Sequence, residues 1–215
     1  MDACDVKRRI VGCGLVAMVR TTSAADARTV AAALAAGGVE IIEITMTVPG
    51  ALAVLEGLAK EFGADVVVGA GTVLDAETAR AAVLAGAQFV VTPSLSEEAI
   101  RVTKRYGKLA CPGALTPTEI VRALECGADL VKVFPVDCVG GPEYIRAIKA
   151  PLPQADLVPT GGVTLENAAD HIRAGATALG VGSALVDKKA LAEGKPEVLT
   201  EKARRFVDAV QAARK

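Results

Sequence analysis

Histidine, aromatic residues and an excess of either charge are scarce in this chain, and each shortage removes a class of function. One histidine, His171, stands among 215 residues, inside a stretch of helical period. Histidine-ligated metal catalysis needs several such ligands, and a Ser-His-Asp triad needs its histidine at a strand end. Both chemistries are disfavoured, and no metal is expected. Lys plus Arg total 24 against 25 for Asp plus Glu, a net charge of −1, so no global field draws the chain to nucleic acid or to an anionic membrane. Small molecules and further copies of the chain remain as partners. Aromatics make up 3% of a chain that is 52% hydrophobic, so its core must be built from Ala, Val and Leu.

No apolar run reaches the roughly 18 residues a membrane span requires. The five cysteines, Cys4, Cys13, Cys111, Cys126 and Cys138, are widely spaced and form no Cys-x-x-Cys pair, which predicts reduced thiols. Gly12 and Gly14 interrupt the stretch behind Lys7, Arg8 and Arg9, leaving no apolar segment of signal-peptide length. A cytoplasmic location is expected. Nucleotide motifs are missing too: Gly69-Ala70-Gly71-Thr72 lacks the Gly-Lys-Ser/Thr ending of a P-loop, and Gly12-Cys13-Gly14 precedes a strand where a dinucleotide fingerprint follows one. No cofactor is expected.

What the chain has is alternation. Short β-branched runs are separated by Ala-rich segments of helical period, the pattern of parallel strands joined by crossover helices. The strands are predicted at residues 15–20, 39–45, 66–71, 89–93, 109–113, 130–135, 157–161 and 178–183, after a short N-terminal helix at 3–11. Helix starts carry caps at Thr22-Ser23, Asp75, Ser96 and Thr116-Pro117 with Glu119. Small-Gly-small turns, at Gly37, Gly86, Gly127 and Gly175, recur at intervals of about two βα units and predict left-handed helix ends. Eight units close a TIM barrel, and a chain of this length fits one. The expectation is a single (β/α)8 barrel domain over 1–215. A break at Gly194-Lys195-Pro196 precedes a last helix at 197–213.

Barrels of this kind gather function at the carboxyl ends of their strands. In Leu130-Val131-Lys132-Val133-Phe134-Pro135 a lysine interrupts an apolar run, and period two puts Lys132 on the interior face while Val131 and Val133 face the helices. Burial disfavours an ammonium and can make an amine that attacks carbonyls. Lys132 is therefore predicted to form a Schiff base, the alternative being an edge-strand lysine that snorkels to water. By the same alternation Ile41, Glu43 and Thr45 face inward, so Glu43 shares the interior with Lys132 and is a candidate proton shuttle. A purely structural ion pair between them contributes little over apolar replacements, which favours function.

Thr160-Gly161-Gly162-Val163 and Gly180-Val181-Gly182-Ser183 follow the seventh and eighth strands, where exposed N–H groups bind phosphate in many barrels. A phosphorylated substrate is expected there, although glycine pairs also serve tight turns. Thr72 can hydrogen-bond the substrate, and Arg20, ending the first strand, can fork a carboxylate or lie at the surface.

Taken together, Glu43-Ile44-Thr45, Gly69-Ala70-Gly71-Thr72-Val73, Thr92-Pro93, Cys111-Pro112-Gly113, Lys132-Val133-Phe134-Pro135, Pro159-Thr160-Gly161-Gly162-Val163 and Gly182-Ser183 resemble the 2-dehydro-3-deoxy-phosphogluconate (KDPG) aldolase family, which includes 4-hydroxy-2-oxoglutarate (KHG) aldolases. The resemblance spans essentially the whole chain. It implies a metal-free, trimeric class I aldolase that releases pyruvate and D-glyceraldehyde 3-phosphate, with Lys132 as the Schiff-base lysine and Glu43 as the general acid/base. It places Thr72, Pro93, Phe134 and Thr160 at the substrate, Arg20 in contact with it, and Gly161, Gly162, Val163, Gly182 and Ser183 at the phosphate. Many members carry arginine four residues after the glutamate to hold the substrate carboxylate; here that substrate-binding position is Thr47, which predicts an altered preference or weaker binding. The alternatives are an aldolase for the phosphogalactonate epimer, which by resemblance has Val where Thr160 stands, a lysine-independent phosphosugar isomerase or epimerase, and a non-catalytic trimeric assembly subunit.

Overall fold

The computed structural model describes residues 1–214. Helix α1, Ala3–Cys13, starts where the Asp2 carboxylate accepts a hydrogen bond from the Asp5 N–H, and it stops at Gly14, left-handed at φ 69°. There follow β1 (Leu15–Val19), α2 (Ala24–Ala36), β2 (Ile41–Thr45), α3 (Ala51–Phe62), β3 (Val67–Gly71), α4 (Ala76–Leu84), β4 (Phe89–Val91), α5 (Glu97–Arg105), β5 (Leu109–Cys111) and β6 (Gly113–Ala114). The second half runs α6 (Pro117–Glu125), β7 (Val131–Val133), a 3-10 turn (Asp137–Val139), α7 (Pro142–Lys149), β8 (Leu157–Pro159), α8 (Ala168–Arg173), β9 (Leu179–Val181), α9 (Lys188–Ala192) and α10 (Glu197–Ala213).

The local signals act as expected. Ser23, Asp75 and Ser96 accept from the N–H three residues on, and Thr116 with Glu119 forms a reciprocal capping box behind Pro117. Gly86, Gly127 and Gly175 have φ of 106°, 91° and 102°. At the first such turn Gly37 stays at φ −86° and Gly38 takes the left-handed conformation, φ 91°.

Every strand pairing is parallel. The strands make a curled six-stranded sheet, β5-β4-β3-β2-β1-β9, and a three-stranded sheet, β6-β7-β8. This differs from the one continuous eight-stranded sheet expected. The fifth predicted strand, 109–113, divides at Pro112, which has no N–H to donate to a ladder. Its carbonyl still accepts from Lys132 N–H at 2.9 Å, and a parallel bridge between Thr160 and Gly180 links β8 to β9.

Alternation sorts the apolar side chains into two layers. Ile42, Ile44, Val131 and Val133 pack outward against the helices. Ile41, Val67, Phe89, Leu109 and Leu130, from the starts of their strands or just before them, pack inward with Val6 and Ile10 of α1. Helix α1 thus closes the amino ends of the strands, and each of its two buried side chains contributes roughly 1.5–3 kcal/mol. The carboxyl ends are left open for a site.

Candidate active site

A cleft of about 700 Å³ opens at those carboxyl ends. Its walls include Arg20, Thr72, Pro93, Lys132, Phe134, Thr160, Gly161, Gly162, Val163, Gly182 and Ser183. Beneath it lies a cavity of about 10 Å³ between Glu43, Cys111, Lys132 and Thr160, so Lys132 and Thr160 border both.

Strand β7 is the middle strand of its sheet, paired to β6 through Lys132–Gly113 and to β8 through Lys132–Val158. The β-branched neighbours Val131 and Val133 are fully buried, and this anchors the strand so that Lys132 points inward at 5% exposure. Snorkelling from an edge strand is ruled out by that position. Its Nζ lies 3.8 Å from the Met18 thioether and 5.1 Å from the centroid of the Phe134 ring. Neither partner is a carboxylate. Sulfur is a weak acceptor, so the amine is held loosely and can turn toward a bound carbonyl.

Glu43, on β2, is 2% exposed and its Oε1 has no hydrogen-bond partner. No ion pair joins it to Lys132, so the structural-pair alternative does not hold. Burial pushes its carboxyl above the ordinary glutamate range, and the positive charges of Lys132 and Arg20 oppose that rise. The result is a protonatable carboxyl in a buried site, a group suited to proton transfer. Space for it comes from the facing strand: a Cβ at Gly71, the partner of Thr45 in the register, would stand 1.7 Å from Glu43 Oε1. Thr72, next in line, takes φ 56° although it is not glycine, and backbone strain of this kind clusters at functional sites. Cys111 shares the lower cavity, but burial pushes its thiol up to about 12, which leaves it unreactive as a nucleophile.

The turn after β8 is shaped by neighbours as well as by glycine. Gly161 and Gly162 have φ of 92° and 66°, and a Cβ at Gly162 would meet Asp137 Cβ at 2.3 Å. Asn167 braces the turn by donating to Gly162 O at 2.9 Å while accepting from Thr164 N–H at 2.8 Å. Thr160 Oγ1 donates to Val158 O at 3.2 Å and leans on Gly180, where a Cβ would stand 2.2 Å from it. Backbone N–H groups at a turn of this shape form an anion-binding concavity.

Arg20 is exposed and, among the described residues, makes no ion pair. Thr47 lies apart from the cleft walls: Thr45 Oγ1 donates to Val19 O at 3.2 Å, so the 2.8 Å bond between the two threonine hydroxyls runs from Thr47 to Thr45. The cleft also contains residues not anticipated above, among them Met18, Asp26 and Lys188. Met18 was legible, since it alternates with Arg20 along β1; Lys188 carried no local signal. His171 is buried in α8, away from the cleft, with Nδ1 unpartnered. Among the described residues no three His, Cys, Asp or Glu side chains come together as a metal site.

Known proteins share this fold and much of the sequence. The family model for KDPG and KHG aldolase matches residues 6–201. A 2-dehydro-3-deoxy-6-phosphogalactonate aldolase of Escherichia coli is 38% identical over 172 residues, 80% of this chain and 83% of the relative. A 2-dehydro-3-deoxy-phosphogluconate aldolase of Treponema pallidum is 37% identical over 169 residues, 79% and 80% of the two chains. Among solved structures, the KDPG aldolase of Legionella pneumophila, with pyruvate captured as a covalent carbinolamine intermediate, superposes with a TM-score of 0.81 at 28% identity, over 90% of this chain and 95% of that one. With an inward lysine, a buried carboxyl and glycine turns at the open end of a parallel α/β fold, and with a family match along nearly its whole length, the chain belongs to the KDPG and KHG aldolase family of carbon–carbon lyases.

Proposed function

We propose that the protein cleaves 2-dehydro-3-deoxy-6-phosphogluconate to pyruvate and D-glyceraldehyde 3-phosphate, and 4-hydroxy-2-oxoglutarate to pyruvate and glyoxylate, by a Schiff base on Lys132. The observation that carries this is Lys132 itself: a buried amine on a central strand, with no carboxylate partner, at the floor of a cleft that reaches two glycine turns. Its amine attacks the C2 carbonyl to give a carbinolamine. Glu43, as an acid, protonates the departing hydroxyl; water leaves and an iminium forms. Glu43, as a base, then removes the C4 hydroxyl proton, the C3–C4 bond breaks, and its electron pair passes into the iminium as an enamine while the aldehyde departs. Protonation at C3 and hydrolysis release pyruvate and restore the amine.

Thr72, Pro93 and Phe134 bound the pyruvate end, Thr160 stands between Lys132 and the turn, and the N–H groups of Gly161, Gly162, Val163, Gly182 and Ser183 receive the phosphate. Arg20 takes the carboxylate, since Thr47 is engaged by Thr45. The two sheets form one closed (β/α)8 barrel, a reading supported by the Pro112 junction and the Thr160–Gly180 bridge. One domain covers 1–215. The working form is a cytoplasmic homotrimer, a reading supported by the family resemblance.

Incubation with pyruvate and borohydride is expected to add one reduced pyruvyl group at Lys132, located by peptide mass, and Lys132→Ala is expected to abolish both label and cleavage. An unlabelled lysine would overturn the mechanism and favour an isomerase or an assembly subunit. The phosphogalactonate epimer is the second substrate to compare, because the Escherichia coli relative is named for it; Thr160 favours the gluconate compound. Turnover of the two epimers side by side decides between them.

A further inference from the structure

We infer that Lys188 is a specificity residue, a third cation of the cleft that binds the terminal phosphate and so separates phosphorylated sugar acids from shorter or uncharged substrates. The inference rests on the Schiff-base reading above. The substrate class proposed there carries an anion at each end, a carboxylate beside the reacting ketone and a phosphate at the far terminus. Among the described residues three cationic ones line the cleft: Arg20, Lys132 and Lys188. Lys132 is committed to the ketone and Arg20 follows β1, so the phosphate end has so far only backbone N–H groups and the Ser183 hydroxyl.

Lys188 stands at that end. It begins α9, five residues beyond Ser183 on the segment that leaves β9, and α9 adds Leu191 and Ala192 to the same wall. Its charge is not spent elsewhere. Among the described residues it makes no ion pair, and the adjacent carboxylate, Asp187, is taken by Lys202 at 2.8 Å and by the N–H groups of Lys189 and Ala190. Among the described residues Asp26 is the one carboxylate on the cleft wall, and no ion pair joins it to Lys188. Lys188 is exposed at the cleft mouth, so its ammonium is free to meet an incoming anion. A flexible ammonium on the wall of a cleft that also holds a turn of N–H groups is a usual complement to a phosphate dianion, acting as a point charge that completes the neutralisation.

The test measures kcat/KM of the full-length protein on 2-dehydro-3-deoxy-6-phosphogluconate, on its unphosphorylated counterpart and on 4-hydroxy-2-oxoglutarate. For Lys188→Ala the value on the phosphorylated substrate is expected to fall about tenfold through KM, a little over 1 kcal/mol by the usual conversion, and for Lys188→Glu further. The two unphosphorylated substrates should change less than about twofold, and Lys188→Arg should restore binding. Equal losses on all three substrates, or an unchanged phosphorylated substrate, would overturn the role. Pyruvate trapping on Lys132 is scored in every variant: its absence from the wild type would sink the Schiff-base reading, whereas trapping with no phosphate discrimination at Lys188 sinks only this one.

Discussion

A buried carboxyl without a partner costs a protein roughly 1–3 kcal/mol relative to one that is satisfied, and at Glu43 the fold bears that cost and clears space for it with Gly71. The chemistry proposed above explains why. Glu43→Gln keeps the shape and removes the proton: kcat is expected to fall about 10²–10⁴-fold, read in a steady-state cleavage assay. The same substitution has a stability signature. The folded protein holds Glu43 protonated above the ordinary range, so as pH rises past about 4.5 the unfolded chain loses its proton first and binds fewer protons than the native one. Stability falls through that window up to the native pKa. In urea unfolding, Glu43→Gln should lack this component and gain on the wild type between pH 4.5 and neutrality. Glu43 was legible from period two alone, because alternation in a strand requires nothing beyond its own residues. Its missing partner was not, since that depends on Lys132 reaching toward Met18 instead.

At the scale of elements, caps and breakers are the best-read features because their hydrogen bonds close within three or four residues. Thr116, Pro117 and Glu119 set the start of α6, the crossover that delivers the chain into β7 and Lys132. Thr116→Ala should cost about 0.5–2 kcal/mol in chemical denaturation, with Lys132 trapping retained at temperatures where the variant is folded. Pro112 carried an equally local signal that the expected unbroken strand at 109–113 did not use: a proline inside a strand marks its interruption, and the stretch divides into β5 and β6. The predicted strands ran longer than those found, and at β1, β4 and β9 the excess is the polar, proline or glycine residues Arg20, Thr92-Pro93 and Gly182-Ser183 at the carboxyl ends. Arg20, Thr160 and Ser183 all stand just past a strand, where the site needs them.

Over the whole molecule, the helix layer is tied to the sheets by apolar contacts with few buried polar groups, and His171 is one of those few. Burial holds its imidazole below the ordinary value, with Asp170 opposing. The unfolded chain therefore binds the extra proton first as pH falls below about 6.5. Stability contributed by neutral His171 is present above that pH and declines beneath it. Thermal melts from pH 7.5 down to 5.5 should show a loss in the wild type that His171→Leu reduces, without a change in pyruvate trapping near neutrality. An equal loss in both proteins would assign the decline to other groups.

The amino-acid sequence by itself determined the parallel α/β class, the caps, the inward faces of β2 and β7, and the strand ends where polar residues gather, because periodicity and capping are properties of neighbouring residues. Tertiary structure decided which of those polar groups meet. It turned Thr47 onto Thr45 and away from the cleft, placed Met18 against Lys132 and brought Lys188 to the wall of the cleft. Each outcome depends on contacts between segments far apart in the chain, and on loop paths set by the packing of whole helices, for which no local pattern exists.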